Sequence, residues 1–182
     1  MEKLTARPLS LKKKTAATLT AIVCAVILPQ FVHLCGILSG TGSSLGEILL
    51  PMHLPVMIVG ALAGPVAGMT AGLLSPIISF ALTGMPAAAV LPFMCIELLT
   101  YGLVMGLLSE KKLSAPVKIL ITQISGRAIR ALAMLFSFYA LDNSTANAAK
   151  FLSSIGRGWI GISIQLVAVS LTTYLIRKRN EE

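Results

Sequence analysis

Residues 87–108 read AAAVLPFMCIELLTYGLVMGLL, and this stretch decides the class of fold. It is long enough to cross the ~30 Å hydrocarbon core of a bilayer as a helix, and Glu97 is its only charged residue. A charge near the bilayer centre costs roughly 2.5–3.5 kcal/mol on insertion scales. Such residues persist where they pair, line a cavity or hold a ligand. The stretch therefore predicts a membrane span that carries part of a polar site.

Five further apolar segments flank this stretch. Hydrophobic residues make up 55% of the chain, and charged residues make up 12%, about half of the roughly 25% usual in soluble proteins. We therefore expect one integral membrane domain over residues 1–182, an all-α bundle of six transmembrane helices. The approximate predicted spans are 15–38, 47–62, 66–82, 87–108, 119–141 and 151–176.

The distribution of Lys and Arg predicts the orientation of these spans. Five lie in residues 1–14, three in the connector 109–118 and three in the tail 177–179, which an even number of spans places on one side. The loops on the opposite side hold only Lys150. Because Lys and Arg concentrate in cytoplasmic loops, both termini are predicted to lie in the cytoplasm. The same bias accounts for the net charge of +8 without nucleic-acid binding.

Three arginines join Glu97 inside the predicted spans: Arg127, Arg130 and Arg157. Glu97 and Arg130 each lie about ten residues from the outer end of their span, which places both ~15 Å deep, near the midplane. They are therefore positioned to face each other as an ion pair. Such a pair either holds the bundle together or belongs to a ligand site, because the surplus arginines would bind an anion through paired donors. Arg157 has the alternative of extending to the outer interface.

Polar residues at helical spacing form a stripe on each of three spans. The stripes are Glu97 with Tyr101, Gln123 with Arg127 and Arg130, and Arg157 with Gly161 and Gln165. Three aligned polar faces predict one cavity that opens outward.

Trp159 and His53 are weaker candidates for the same site. Trp159 is either an interfacial anchor or a surface on which a ligand stacks. His53 lies between two prolines and is either a buried, hydrogen-bonded histidine or a ligand-binding residue. No metal ligand set and no Cys-x-x-Cys occurs, so neither a metal nor a cofactor is predicted. Catalytic and Walker A motifs are absent, so we expect no enzyme activity, and ATP hydrolysis would need separate subunits.

The first span carries small residues at helical spacing. Ala17, Ala21 and Ala25 recur every four residues, a pattern that lets a second helix approach closely in lipid. The pattern predicts a docking face for another membrane subunit, with the simple abundance of alanine in membrane helices as the alternative.

Several short motifs combine into a family resemblance. They are Ala-x-x-x-Ala in the first span, LPMHLPV at 50–56, Gly60, Gly64-Pro65, Gly84-Met85-Pro86 and ELLTYG at 97–102. In this combination the chain resembles the substrate-binding S component of energy-coupling factor (ECF) transporters. The resemblance implies high-affinity binding of a water-soluble vitamin at the outer face of a bacterial plasma membrane. It also implies ATP-driven uptake with a transmembrane coupling subunit, which would contact the alanine stripe, and with two cytoplasmic ATPase subunits.

The resemblance and the surplus arginines together predict a small, anionic ligand. Pantothenate fits best, with pyridoxine-type compounds and thiamine precursors close behind. The predicted ligand-binding residues are His53, Glu97, Tyr101, Arg127, Arg130, Arg157, Trp159 and Gln165. The main alternative is an autonomous secondary transporter that uses Glu97 and the buried arginines. An intramembrane enzyme and a ligand-free assembly factor are the remaining readings.

Overall fold

The computed structural model describes residues 10–40, 49–140 and 159–179. Within these ranges the regular structure is entirely helical, as the sequence predicts. The helices are α1 (Leu11–Leu38), α2 (His53–Ala63), α3 (Pro65–Thr83), α4 (Leu91–Leu108), α5 (Ala115–Ala140) and α6 (Trp159–Arg179).

Four of these helices are long and apolar enough to cross a membrane: α1, α3, α4 and the Ala115–Tyr139 part of α5. Two shorter apolar helices lie at His53–Ala63 and Gly161–Leu175. The chain is therefore a multi-pass α-helical membrane protein.

Prolines set where α2 and α4 begin. α2 starts at His53, inside the span predicted from residue 47, and Pro55 occupies its first turn, where a missing N–H breaks no helical hydrogen bond. α4 starts at Leu91 with Pro92 in its first turn, after a turn over residues 88–90.

The shortest helix, α2, lies at the centre of the described bundle. It packs against α1, α3, α4 and α6, and its residues Val56 and Met57 are completely buried. α1 contacts α2 and α3, whereas α5 contacts α4 and α6. The bundle therefore has an apolar side around α1 to α3 and a second side where α4, α5 and α6 converge beside α2.

The backbones of α3 and α4 are in direct contact. A Cβ atom added to Gly68 would overlap the backbone of Gly102, and one added to Gly102 would overlap the backbone of Gly68. Gly72 meets Leu98, and Gly106 meets Pro65, in the same manner. Only glycine permits this approach, which increases dispersion contact between helices in a membrane.

The alanine stripe of α1 faces the interior of the bundle. Ala25 is fully buried, Ala21 is 7% exposed, and Ala17 is partly buried against the same apolar core. Because α1 packs only on α2 and α3 among the described helices, these alanines are used for packing within the chain. The docking of a partner on this stripe stays a prediction. The reason is that the spacing of small residues indicates a close helix contact without indicating which helix makes it.

Candidate ligand-binding site

Glu97 and Arg130 form a buried ion pair between α4 and α5. The Arg130 Nη1 atom lies 2.7 Å from the Glu97 Oε2 atom, and Glu97 is 1% exposed. The pairing predicted from their equal depth is confirmed, and the structure identifies Arg130 as the partner. A charged hydrogen bond of this length offsets part of the cost of burying both groups.

A chain of polar groups continues from this pair across the bundle. The Tyr101 hydroxyl lies 3.2 Å from Glu97 Oε1 and 2.9 Å from Gln123 Oε1 on α5. Gln123 Nε2 donates to Gln165 Oε1 on α6, and Gln165 Nε2 donates to the Leu50 carbonyl oxygen, 3.2 Å away. The chain thus joins α4, α5, α6 and the segment before α2.

Leu50 places its carbonyl in this chain through an unusual backbone conformation. Its φ of 49° lies in the left-handed region, which costs a bulky residue roughly 1–2 kcal/mol. Its carbonyl accepts hydrogen bonds from the His53 backbone N–H and from Gln165 Nε2. These bonds stabilise the strained turn that leads into α2.

His53 lies against the polar chain without completing it. It is the first residue of α2 and is 2% exposed, and its ring packs tilted on Tyr101 with 5.1 Å between centroids. Its Nε2 atom is 3.8 Å from Glu97 Oε1, which is too long for a hydrogen bond. Neither ring nitrogen has a hydrogen-bond partner among the described residues.

Arg127 brings a second guanidinium to the same region. It lies one helical turn from Gln123 on α5 and within electrostatic range of the Tyr101 hydroxyl. The Nε atoms of both Arg127 and Arg130 are buried and lack hydrogen-bond partners within the described ranges. No salt bridge joins Arg127 to a carboxylate in that part of the chain, so its charge is not balanced there.

Two local packing features border the polar chain. Phe93 and Met134 form a small buried apolar cluster, one turn from Glu97 on α4 and one turn from Arg130 on α5. On the other side, Gly126 faces the Tyr101 ring, and a Cβ atom at this position would overlap the ring. Gly126 therefore provides the space in which Tyr101 reaches Gln123.

A family model for the substrate-specific component of ECF transporters matches residues 14–176. The chain belongs to this family. Neither the curated proteins nor the solved structures provide a match to it. As an S component, the chain is a substrate-binding subunit of an ECF transporter rather than an enzyme, and family membership implies association with a coupling subunit and ATPases.

The structure of this S component brings together most of the predicted ligand-binding residues. His53, Glu97, Tyr101, Arg130 and Gln165 are in one cluster with Arg127 near Tyr101. Trp159 is the first residue of α6, and Arg157 lies outside the described residues. In the described ranges no three His, Cys, Asp or Glu side chains are grouped as a metal site.

Two members of the polar chain were not among the predicted ligand-binding residues. Gln123 lies on the predicted stripe of α5, four residues before Arg127, so the sequence pattern could have identified it as a site residue. The Leu50 carbonyl carried none, because its role depends on a backbone conformation and not on a side chain.

Proposed function

We propose that this S component binds a small, anionic, water-soluble vitamin or vitamin precursor for an ATP-driven ECF importer in a bacterial plasma membrane. Pantothenate is the first candidate, and pyridoxine-type compounds and thiamine precursors follow. The proposed ligand-binding residues are His53, Glu97, Tyr101, Arg127, Arg130, Arg157, Trp159 and Gln165.

The observation that supports a ligand here is the group of buried nitrogen atoms without partners. Among the described residues, the ring nitrogens of His53 and the Nε atoms of Arg127 and Arg130 are all in this state around the Glu97 pair. A buried polar group without a hydrogen bond costs about 1–3 kcal/mol. A bound molecule with several polar groups would supply the missing partners.

The charges of the described residues favour an anion. The Glu97–Arg130 pair is neutral overall, so Arg127 contributes one additional positive charge beside it. A guanidinium binds a carboxylate or phosphate through two parallel N–H donors. We assign the anionic group of the ligand to Arg127 and its remaining polar groups to the Glu97 side.

The membrane arrangement belongs to the same proposal. Six spans with both termini in the cytoplasm would place the exposed Lys111 and Lys112 of the α4–α5 turn on the cytoplasmic side. The coupling subunit is proposed to dock on α1, where Ala17 is partly exposed and the neighbouring Ala16 and Thr20 are exposed. Ala21 and Ala25 would support that face from the interior.

Native mass spectrometry of the gently purified protein tests the binding proposal. We expect a co-purifying molecule of vitamin size that is lost in Arg127→Gln, while this variant retains its fold. Lys112→Gln removes an exposed charge and serves as the matched control, which should keep the molecule. A ligand-free mass for the unmodified protein, together with no binding of the three candidate compounds, would contradict the proposal.

Uptake measurements separate an ECF importer from an autonomous transporter. Cells that contain the S component, the coupling subunit and the ATPases should accumulate the labelled vitamin. Cells whose ATPases carry an inactivating substitution in the nucleotide site should not. Uptake that persists in those cells would favour the secondary transporter that uses Glu97 and the arginines.

A further inference from the structure

The Leu50 carbonyl fixes the direction of the hydrogen bonds along the polar chain. A carbonyl oxygen can only accept, so Gln165 must present its amide nitrogen to Leu50. The amide oxygen of Gln165 then faces Gln123, which must in turn present its own amide nitrogen. Each amide orientation follows from the one before it, beginning at a group that has no alternative.

The direction set at Leu50 continues to Tyr101. With its nitrogen committed to Gln165, Gln123 presents its amide oxygen to the Tyr101 hydroxyl, 2.9 Å away. A phenol has one O–H proton, and the Gln123 oxygen requires it as the donor. The contact of the Tyr101 hydroxyl with Glu97 Oε1, at 3.2 Å, shares this one proton and is the longer of the two.

Among the described residues, one oxygen of this buried carboxylate therefore has no hydrogen-bond donor beyond that shared proton. Glu97 Oε2 accepts a full hydrogen bond from Arg130, whereas Oε1 has only the longer contact with the Tyr101 hydroxyl. His53 Nε2 lies 3.8 Å from Glu97 Oε1, which is beyond hydrogen-bond distance. An ionised carboxylate that is 1% exposed strongly favours an additional donor.

We propose that Glu97 Oε1 accepts a hydrogen bond from an O–H or N–H group of the transported molecule. The substrate class is then a small molecule that carries such a donor together with an anionic or acceptor group for Arg127. This inference rests on the proposed function and adds to it a required donor and the atom that receives it. A hydroxylated or amino-substituted acid satisfies both requirements, whereas a simple carboxylate without donors does not.

Matched pairs of probes test the assignment. Isothermal titration calorimetry on the full chain in lipid nanodiscs is carried out with pantothenate, pyridoxine and 4-amino-5-hydroxymethyl-2-methylpyrimidine. Each is paired with analogues in which one hydroxyl or amino group at a time is replaced by hydrogen. For a probe that binds, deletion of the donor that meets Glu97 should weaken binding on the order of 100-fold, because it leaves a buried charged acceptor unpaired.

Two variants locate the effect at Glu97. In Glu97→Gln, the amide oxygen can accept from Arg130 while the amide nitrogen donates to the Tyr101 oxygen, so the unpaired acceptor is gone. The affinity of the parent probe should then exceed that of its donor-deleted analogue by only about threefold or less. This is expected because the coupling between Glu97 and the ligand donor is lost when Glu97 is replaced. Tyr101→Phe should weaken both probes alike and keep the ratio, since its proton serves mainly the shorter contact, to Gln123.

The affinity ratio between each probe and its analogue distinguishes the possible outcomes. A large ratio that disappears in Glu97→Gln and persists in Tyr101→Phe supports the inference. Equal binding of every analogue to the unmodified protein overturns the inference and leaves the proposed function intact. A ratio that rises in Tyr101→Phe also overturns it, because Tyr101 would then be the donor to Glu97. If none of the three parent probes binds, the proposed function and this inference both fail.

Discussion

Two faces of α4 are packed by opposite means. Toward α3, Gly102 and Gly106 let the two backbones touch, and the contact contains no polar side chain of either helix at those positions. Toward α5, Glu97 and Tyr101 meet Arg130 and Gln123 through hydrogen bonds. The glycine contact is complete in itself, whereas the polar contact leaves buried nitrogen atoms without partners in the part of the chain that the structure describes. One helix thus combines an interface of touching backbones with an interface of hydrogen bonds, and the second is where we propose that the ligand binds.

Removal of the Arg130 charge should cause the largest loss of stability. Arg130→Met leaves Glu97 buried and without its cation, which costs about 3–5 kcal/mol when one partner of a buried pair is lost. Chemical denaturation in detergent micelles measures the change. The double variant Arg130→Met/Glu97→Leu should recover most of it, because no charge then remains buried. Equal stability of the single and double variants would show that the ion pair does not stabilise the contact between α4 and α5.

A methyl group at the glycine contact should have the next largest effect. Gly68→Ala should destabilise the bundle by about 3 kcal/mol, because its Cβ atom overlaps the Gly102 backbone, which cannot rotate away. In an unobstructed helix the same change stabilises by up to about 1 kcal/mol, so the sign of the effect is diagnostic. Ala81→Val, on the exposed part of α3, is the matched control and should be nearly neutral. A stabilised Gly68→Ala protein would contradict the close contact.

A methyl group at Gly126 tests the polar face in the same way but should cost less. Its Cβ atom would meet the Tyr101 ring, and a side chain can shift where a backbone cannot. We expect a loss of about 1 kcal/mol in the free energy of unfolding. Combination with Tyr101→Leu should make the two changes non-additive, because the clash is then removed. Simple additivity in thermal unfolding would mean that Gly126 does not make room for Tyr101.

The smallest predicted effect lies where α4 ends. Lys118 Nζ donates to the Ser109 carbonyl oxygen, 2.9 Å away, and so ties the start of α5 to the end of α4. Lys118→Met should lower the free energy of unfolding by about 1 kcal/mol, because the Ser109 carbonyl loses a charged donor. Lys111→Met, at an exposed position in the same turn, should change it by less than about 0.5 kcal/mol. Equal effects of the two substitutions would show that Lys118 acts through its charge alone and not through the hydrogen bond to the Ser109 carbonyl.

The parts of this structure that sequence could predict are those set by helix geometry. The fixed rise per residue gave Glu97 and Arg130 the same depth, and the structure pairs them. Helical spacing likewise placed Tyr101 beside Glu97, and Gln123 on the face of α5 that carries the arginines.

The parts that sequence could not predict depend on which helices become neighbours. Lipid is as apolar as the bundle interior, so apolar residues do not mark the buried face of a membrane helix. Ala25 therefore carried no sign that it would pack within the chain, and Gly68 carried none that it would meet Gly102. The hydrogen bond from Gln165 to Leu50 depends on a left-handed backbone at a leucine, which residue type disfavours.

The backbone contact between α3 and α4 should also keep the distance between these two helices constant. Helices whose main chains touch cannot slide or tilt past each other without steric overlap, so α3 and α4 should move as one body. Spin labels at the exposed positions Thr70 and Leu107 would then report one separation at every stage of transport. The distance from a label at the exposed Ile124 of α5 to the label at Thr70 would report movement of α5 relative to the fixed pair of α3 and α4.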